Sequence, residues 1–348
     1  VGGSKERGVV AACSYEARKY GIHSAMPMAT AMRLCPRATV VKGTRGEYSK
    51  YSRWVTEIIA DKAPLFEKVS IDEFYLDLTG MNKYFNPWQW TIGLRQEIID
   101  KTGLPISFAL ASNKMVAKMA TNAAKPNGYM QVKAGMEKEF LSPLPVNTIP
   151  GIGKQTYQHL LAIGIQTIGD VNLSKQADLE FLLGSYGQEL WNKAQGIHHG
   201  AVVPYSEAKS VSTENTFETS SNDMDFIMSE LVRMTERIAY ELRQDDKMAG
   251  CIAVKIRYPD FETTSRQMAI SYTCYDDELI PAAKVLFHKL YRKGQSVRLL
   301  GVKLSELTSE ARQTNLFENT EKKTDLYNAI DAVKGRFGKD AISRARTI

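Results

Sequence analysis

Two adjacent carboxylates, Asp72 and Glu73, stand inside the otherwise apolar, strand-like run FEKVSIDEFYLDLT at residues 66–79. On a regular strand neighbouring side chains point to opposite faces. At the junction of two strands both can converge on one hard cation. Mg²⁺ takes oxygen ligands and bridges carboxylates to substrate phosphates, so Asp72 and Glu73 are candidate metal ligands with a catalytic role. A solvated turn is the competing reading, because acidic residues are common in turns.

Four further patterns could bind something. In YEARKYG, residues 15–21, Arg18 offers a planar fork suited to phosphate oxygens and Tyr15 a hydroxyl donor. The same residues also read as an ordinary helix with a solvated Arg-Lys pair. Lys125 opens the turn KPNG at residues 125–128 and could hold a phosphate as a point charge, or merely complement a helix dipole. IPGIGK, residues 149–154, reads as the hairpin of a helix-hairpin-helix. There Gly151 and Gly153 let the backbone approach a phosphate, and the helix opened by Lys154 presents free N–H groups. Such contact is blind to base sequence, and a plain helical turn is the alternative. Finally, Leu316 and Phe317 in QTNLF, residues 313–317, stand in an otherwise polar stretch and suit docking into a partner's apolar pocket. None of the five histidines has the spacing of a nucleophile–base pair.

The elements that must position these residues follow from periodicity. Residues 48–63 carry a helical apolar stripe, 66–79 two strands with their junction near Asp72, 88–102 a helix closed by Gly103, and 105–112 a buried strand. Asn113 caps a helix to Ala124, and 129–132 is a last strand, so 66–132 reads as an α+β sheet region. Residues 133–200 are helical and glycine-punctuated. Residues 209–307 alternate strand, helix, strand, strand, helix, strand, a split βαββαβ unit, and 325–337 form a short amphipathic helix.

Composition narrows the class. The 348 residues are 43% hydrophobic and 24% charged, as in soluble globular proteins, and no apolar run is long enough for a membrane span. The net charge is +6, and residues 1–60 hold ten basic against four acidic residues, so the surplus lies at one end and asks for an anionic ligand. Four scattered cysteines make neither a disulfide framework nor a zinc site, which points to a reducing, cytoplasmic compartment. The chain opens on Val1 with no signal-peptide pattern, as though inside a longer protein.

In sequence order the chain carries CSYEARKYGIHSAMP at 13–27, SIDEFYLDLTG at 70–80, SNKMVAKMATNAAKPNG at 112–128 and IPGIGK at 149–154. Together these resemble the Y-family translesion DNA polymerases, in particular the DinB, polymerase IV-like branch. The resemblance implies an α+β multidomain right-hand polymerase: small fingers at 1–44, a ferredoxin-like palm at 45–132, a helix-hairpin-helix thumb at 133–203, a linker at 204–208, and a βαββαβ little finger at 209–308. Residues 309–348 would be a clamp-binding tail with a terminal helix.

It also implies roles. Asp72 and Glu73 would hold two catalytic Mg²⁺ ions. Tyr15, Arg18 and Lys125 would hold the incoming dNTP, and Gly151, Gly153 and Lys154 would touch DNA. Gln313, Leu316 and Phe317 would dock on the replicative sliding clamp. The expected activity is low-fidelity, template-directed nucleotidyl transfer by a monomer on primer–template DNA, with no membrane partner. The family's opening strand, with a further Asp, has no counterpart here. The resemblance therefore implies that the 348 residues as written are inactive or nearly so, and leaves a non-catalytic primer–template and clamp-binding module as the alternative.

Overall fold

The computed structural model describes residues 1–4, 7–44, 46–309, 320–339 and 341–344. They form two compact units, one of residues 43–206 and the other of residues 1–42 with 207–348.

The first unit opens with α3 (Glu47–Lys62), preceded in the chain by α1 (Tyr15–Arg18) and α2 (Met28–Leu34) of the other unit. Next come β1 (Phe66–Lys68), β2 (Phe74–Leu76), α4 (Pro87–Thr102), β3 (Phe108–Leu110), α5 (Lys114–Ala124) and β4 (Tyr129–Gln131). Local signals set the helix ends. The Asn86 side chain accepts from the N–H groups of Trp88 and Gln89, Pro87 supplies the first turn, and Gly103 closes α4 at φ +71°. Asn113 caps α5 by accepting from Val116 N–H, as its sequence predicts.

The strands depart from the expectation of one sheet. β1 pairs antiparallel with β2 and β3 pairs parallel with β4, as two separate ladders. Each strand is three residues long, and among the described residues none bridges the two ladders. The expected buried strand over 105–112 shrinks to Phe108–Leu110, all half-buried. Near the start of the chain Gly2 with Val10 and Val9 with Pro27 form isolated bridges.

Apolar packing follows the same division. β1 and β2 bury Phe66, Phe74 and Leu76 against α3 and α4, around Ile58, Ile59, Leu94 and Ile98. α5 instead faces a second cluster, where Met115, Val116, Met119 and Ala120 pack with Leu141, Ile149, Leu160 and Leu190. That cluster is shared with α6 (Glu137–Leu141), α7 (Lys154–Ala162), α8 (Ile168–Leu173), α9 (Gln176–Leu183) and α10 (Ser185–Ala194). α9 and α10 meet so closely that a Cβ on Gly187 would lie 2.2 Å from the Leu179 carbonyl oxygen, so only glycine fits there.

In the second unit β5 (Ser210–Ser221), α11 (Met224–Gln244), β6 (Met248–Arg257), β7 (Thr263–Thr273), α12 (Asp276–Leu290) and β8 (Val297–Thr308) build a four-stranded sheet in the order β5-β8-β6-β7. β8 lies between β5 and β6, and β6 between β7 and β8, so both βαβ crossovers are split, as the strand pattern implies. One face of the sheet packs Ile252, Val254, Ile256, Val302 and Leu304 against Ile227, Leu231, Ile238 and Phe287 of α11 and α12. α13 (Thr320–Phe337) follows the last strand. No helix of the described residues is long and apolar enough to cross a membrane.

Candidate active site

The carboxylate pair sits where the sequence places it, in the turn between β1 and β2. Glu73 O closes the turn by accepting from Val69 and Ser70 N–H, at 3.0 and 3.4 Å. Ser70 organises the carboxylates: its hydroxyl donates to Asp72 Oδ1 at 2.6 Å and accepts from Asp72 and Glu73 N–H at 3.3 and 3.1 Å. Asp72 is exposed and Glu73 half-buried. Lys118 of α5 donates to Glu73 Oε2 at 2.7 Å, so this carboxylate is tied to the neighbouring helix. Burial works against the Lys118 ammonium, but the hydrogen bond and charge of Glu73, with Asp72 behind them, raise its pKa above the usual lysine value.

A second lysine one turn earlier ties down the other end of the hairpin. Lys114 Nζ donates to Glu67 Oε2 at 2.5 Å and to Ala201 O at 3.0 Å, and lies 4.9 Å from the Tyr75 ring centre. Burial opposes ionisation of Glu67, yet Lys114 and the Val203 N–H hold its pKa below the normal carboxylate range. Burial raises the Tyr75 phenol.

Among the described residues no group of three or more His, Cys, Asp or Glu could hold a metal by itself. Asp72 and Glu73 supply two adjacent carboxylates, both oxygen donors, on a turn where Asp72 is exposed. That fits Mg²⁺, which is bound by one or two carboxylates while water and substrate phosphates fill its other positions.

The other candidate residues lie on other elements. Tyr15 and Arg18 lie on α1, whose N-cap Ser14 accepts from Ala17 N–H at 3.3 Å. Both are exposed, and the Arg18 guanidinium lies 5.6 Å from the Tyr15 ring centre. Lys125 is exposed beyond the last residue of α5, before a cis peptide bond to Pro126, and donates to Asn122 Oδ1 at 3.1 Å.

In the turn before α7 Gly151 stands at φ +100° and Gly153 is the N-cap of α7, with Lys154 its first residue. Buried Lys193 braces it, donating to Pro150 O at 3.1 Å, and a Cβ on Gly151 would lie 3.3 Å from the Tyr186 hydroxyl. Gln313, Leu316 and Phe317 lie outside the described residues.

The sheet of the second unit is sided. Ladder register places Ser212, Lys303, Ala253 and Gln267 in one row on the face away from α11 and α12. Glu214, Gly301, Lys255 and Ser265 form the next row, and Arg257 with Thr263 belongs to a third. Lys255 pairs with Glu214, and Arg257 Nε donates to Thr263 Oγ1 at 2.8 Å. In these rows three basic side chains oppose one acid, amid Ser, Thr and Gln donors.

The impB/mucB/samB family model matches residues 1–122, and the model of that family's C-terminal domain matches residues 208–316. A DNA polymerase IV of Dehalococcoides mccartyi is 38% identical over 351 residues, covering all of this chain and 90% of the relative. One from Desulfatibacillum aliphaticivorans is 34% identical with the same coverage. Among solved structures, a Dbh–Dpo4 Y-family polymerase chimera aligns with a TM-score of 0.76 at 26% identity, over 88% of this chain and 90% of its own. The chain is a DinB-like member of the Y family of DNA polymerases. An insertion ternary complex of Dbh polymerase aligns more loosely, with a TM-score of 0.58 at 26% identity over 86% of this chain.

Within this DinB-like chain, sequence reasoning passed over Lys114, Lys118 and Glu67. Lys114 and Lys118 recur at the four-residue spacing of one helix face, a signal shared by any solvated helix. Their role shows only once the β1–β2 hairpin lies across that face.

Proposed function

We propose that this protein is a template-directed, low-fidelity DNA polymerase of translesion synthesis. The primer 3′-hydroxyl attacks the α-phosphate of a dNTP, and pyrophosphate leaves. The observation that carries this reading is the Ser70-braced Asp72–Glu73 turn in a chain of this family. Asp72 and Glu73 would hold Mg²⁺, two ions in this reading, which when bound stabilises the attacking and leaving oxygens. Arg18 forks onto the triphosphate oxygens, Tyr15 donates its hydroxyl, and Lys125 adds a point charge. Positioning and charge do most of the work, with little side-chain acid–base chemistry. The small exposed side chains Ala11, Ala12 and Ser14 border the nascent base pair and leave room for damaged templates.

In this reading residues 1–44 are fingers, 45–132 palm, 133–203 thumb and 209–308 little finger. The Gly151–Gly153 hairpin and the Lys154 helix N-terminus grip the phosphate backbone. The enzyme acts as a cytoplasmic monomer. Primer extension by the native protein with Mg²⁺ and dNTPs tests the proposal; primer–template binding without extension would favour the non-catalytic module.

The open sheet face of the second unit suits DNA, and it makes a quantitative prediction. The triple variant K255A/R257A/K303A lowers the slope of log affinity against log salt by about 2 to 3, since each lost phosphate contact removes about 0.9. An unchanged slope in a salt titration would exclude this face. The tail gives another. Replacing Leu316 and Phe317 by Ala abolishes binding to the sliding clamp while leaving primer–template affinity intact. Surface plasmon resonance on immobilised clamp reads this directly, and undiminished binding rejects the clamp motif.

A further inference from the structure

We propose that Lys118 is the resident counter-cation of Glu73, which holds the carboxylate in place until a divalent cation displaces it. This rests on the reading of Asp72 and Glu73 as metal ligands.

The β1–β2 hairpin and α5 bury their apolar residues in different clusters. Ionic contacts join them: Lys114 to Glu67 and Lys118 to Glu73, one helical turn apart. The two pairs are not equivalent. Lys114 and Glu67 are 19% and 21% exposed, and Lys114 is fixed by a carboxylate, a backbone carbonyl and an aromatic face. It is a strut. Lys118 and Glu73 are 32% and 42% exposed and meet in a single contact.

An ammonium at 2.7 Å takes up one of the two oxygens of Glu73 and places a positive charge where a cation would approach. It also relieves the repulsion between two adjacent carboxylates. A lysine on a four-carbon stem at this exposure can swing into solvent when a doubly charged ion competes for the same oxygen. Lys118 thus keeps Glu73 ordered in the metal-free protein and sets the concentration at which metal enters.

The test is Mn²⁺ binding to the metal-free protein, followed by paramagnetic resonance of the free ion with no nucleotide present. Removing the competing charge in K118M tightens Mn²⁺ binding about three- to tenfold, the scale of a partly screened charge–charge contact. K118Q, measured beside it, does the same, and K118R remains near wild type. K114M lowers the melting temperature but leaves Mn²⁺ affinity unchanged. K118M and K118Q variants that bind Mn²⁺ as wild type does or more weakly, including no binding by any of them, overturn the role of Lys118. E73Q separates the two levels: Mn²⁺ binding indifferent to E73Q refutes the metal reading of the site itself.

Discussion

Replacing Asp72 by Asn in the native protein abolishes primer extension, by about 10³-fold or more, while primer–template affinity stays within about twofold. Asn keeps the shape of the side chain and can still accept from the Ser70 hydroxyl, which meets Asp72 Oδ1 at 2.6 Å. What is lost is a negative charge on an exposed turn, so the fold has little reason to respond. Nucleotidyl transfer, by contrast, depends on concentrated positive charge at the reacting oxygens, and a site of two carboxylates loses half its anchoring charge. Single-turnover extension at saturating dNTP measures the chemical step, and fluorescence anisotropy with labelled primer–template measures binding. An Asp72→Asn protein extending within about tenfold of wild type would remove Asp72 from the metal site. Parallel loss of DNA binding would instead show a disturbed turn.

The turn that carries the two carboxylates was legible in the sequence because it depends on local rules. Two short apolar runs flank SIDE, and a hairpin there must put Asp72 and Glu73 at its tip. Helix α5 was legible to its cap, since Asn113 precedes an apolar stripe at helical spacing. The contact that ties the turn to α5 was not. Lys118 lies 45 residues from Glu73, and nothing in helical periodicity distinguishes a lysine facing water from one facing a carboxylate. Sidedness of the β5–β8 sheet was hidden for a related reason. Lys255, Arg257 and Lys303 lie on two strands, and only the register collects them on one face. The division of 66–132 into two ladders was also out of reach, because strand pairing is non-local even where each strand is signalled.

The second large effect lies where helix periodicity alone would place a routine residue. Arg243 ends the amphipathic helix α11, where a basic side chain ordinarily complements the dipole. In the structure its Nε and Nη2 meet Asp331 of α13 at 2.7 and 3.0 Å, and its Nη1 donates to Asp276 Oδ1 and Cys274 O at 2.8 Å each. The guanidinium also lies 4.7 Å from the Tyr327 ring centre. Arg243 is 8% exposed and its two carboxylate partners 6% and 11%. Burial opposes the charge, but Asp331 and Asp276 more than compensate and raise the Arg243 pKa further above its ordinary value. R243M would leave two carboxylates buried without a cation, at a cost of about 3–5 kcal/mol. In a unit of this size that lowers the melting temperature by about 6–20 °C and frees α13 to proteolysis. R237A is the control: Arg237 and its partner Glu241 are 51% and 34% exposed, and their contact contributes about 0.3–0.5 kcal/mol. The triple variant R243M/D276L/D331L recovers most of the loss, because the cost lies in uncompensated charge rather than in an irreplaceable attraction. Equal melting temperatures for R243M and R237A would mean that α13 does not hold Arg243 in solution.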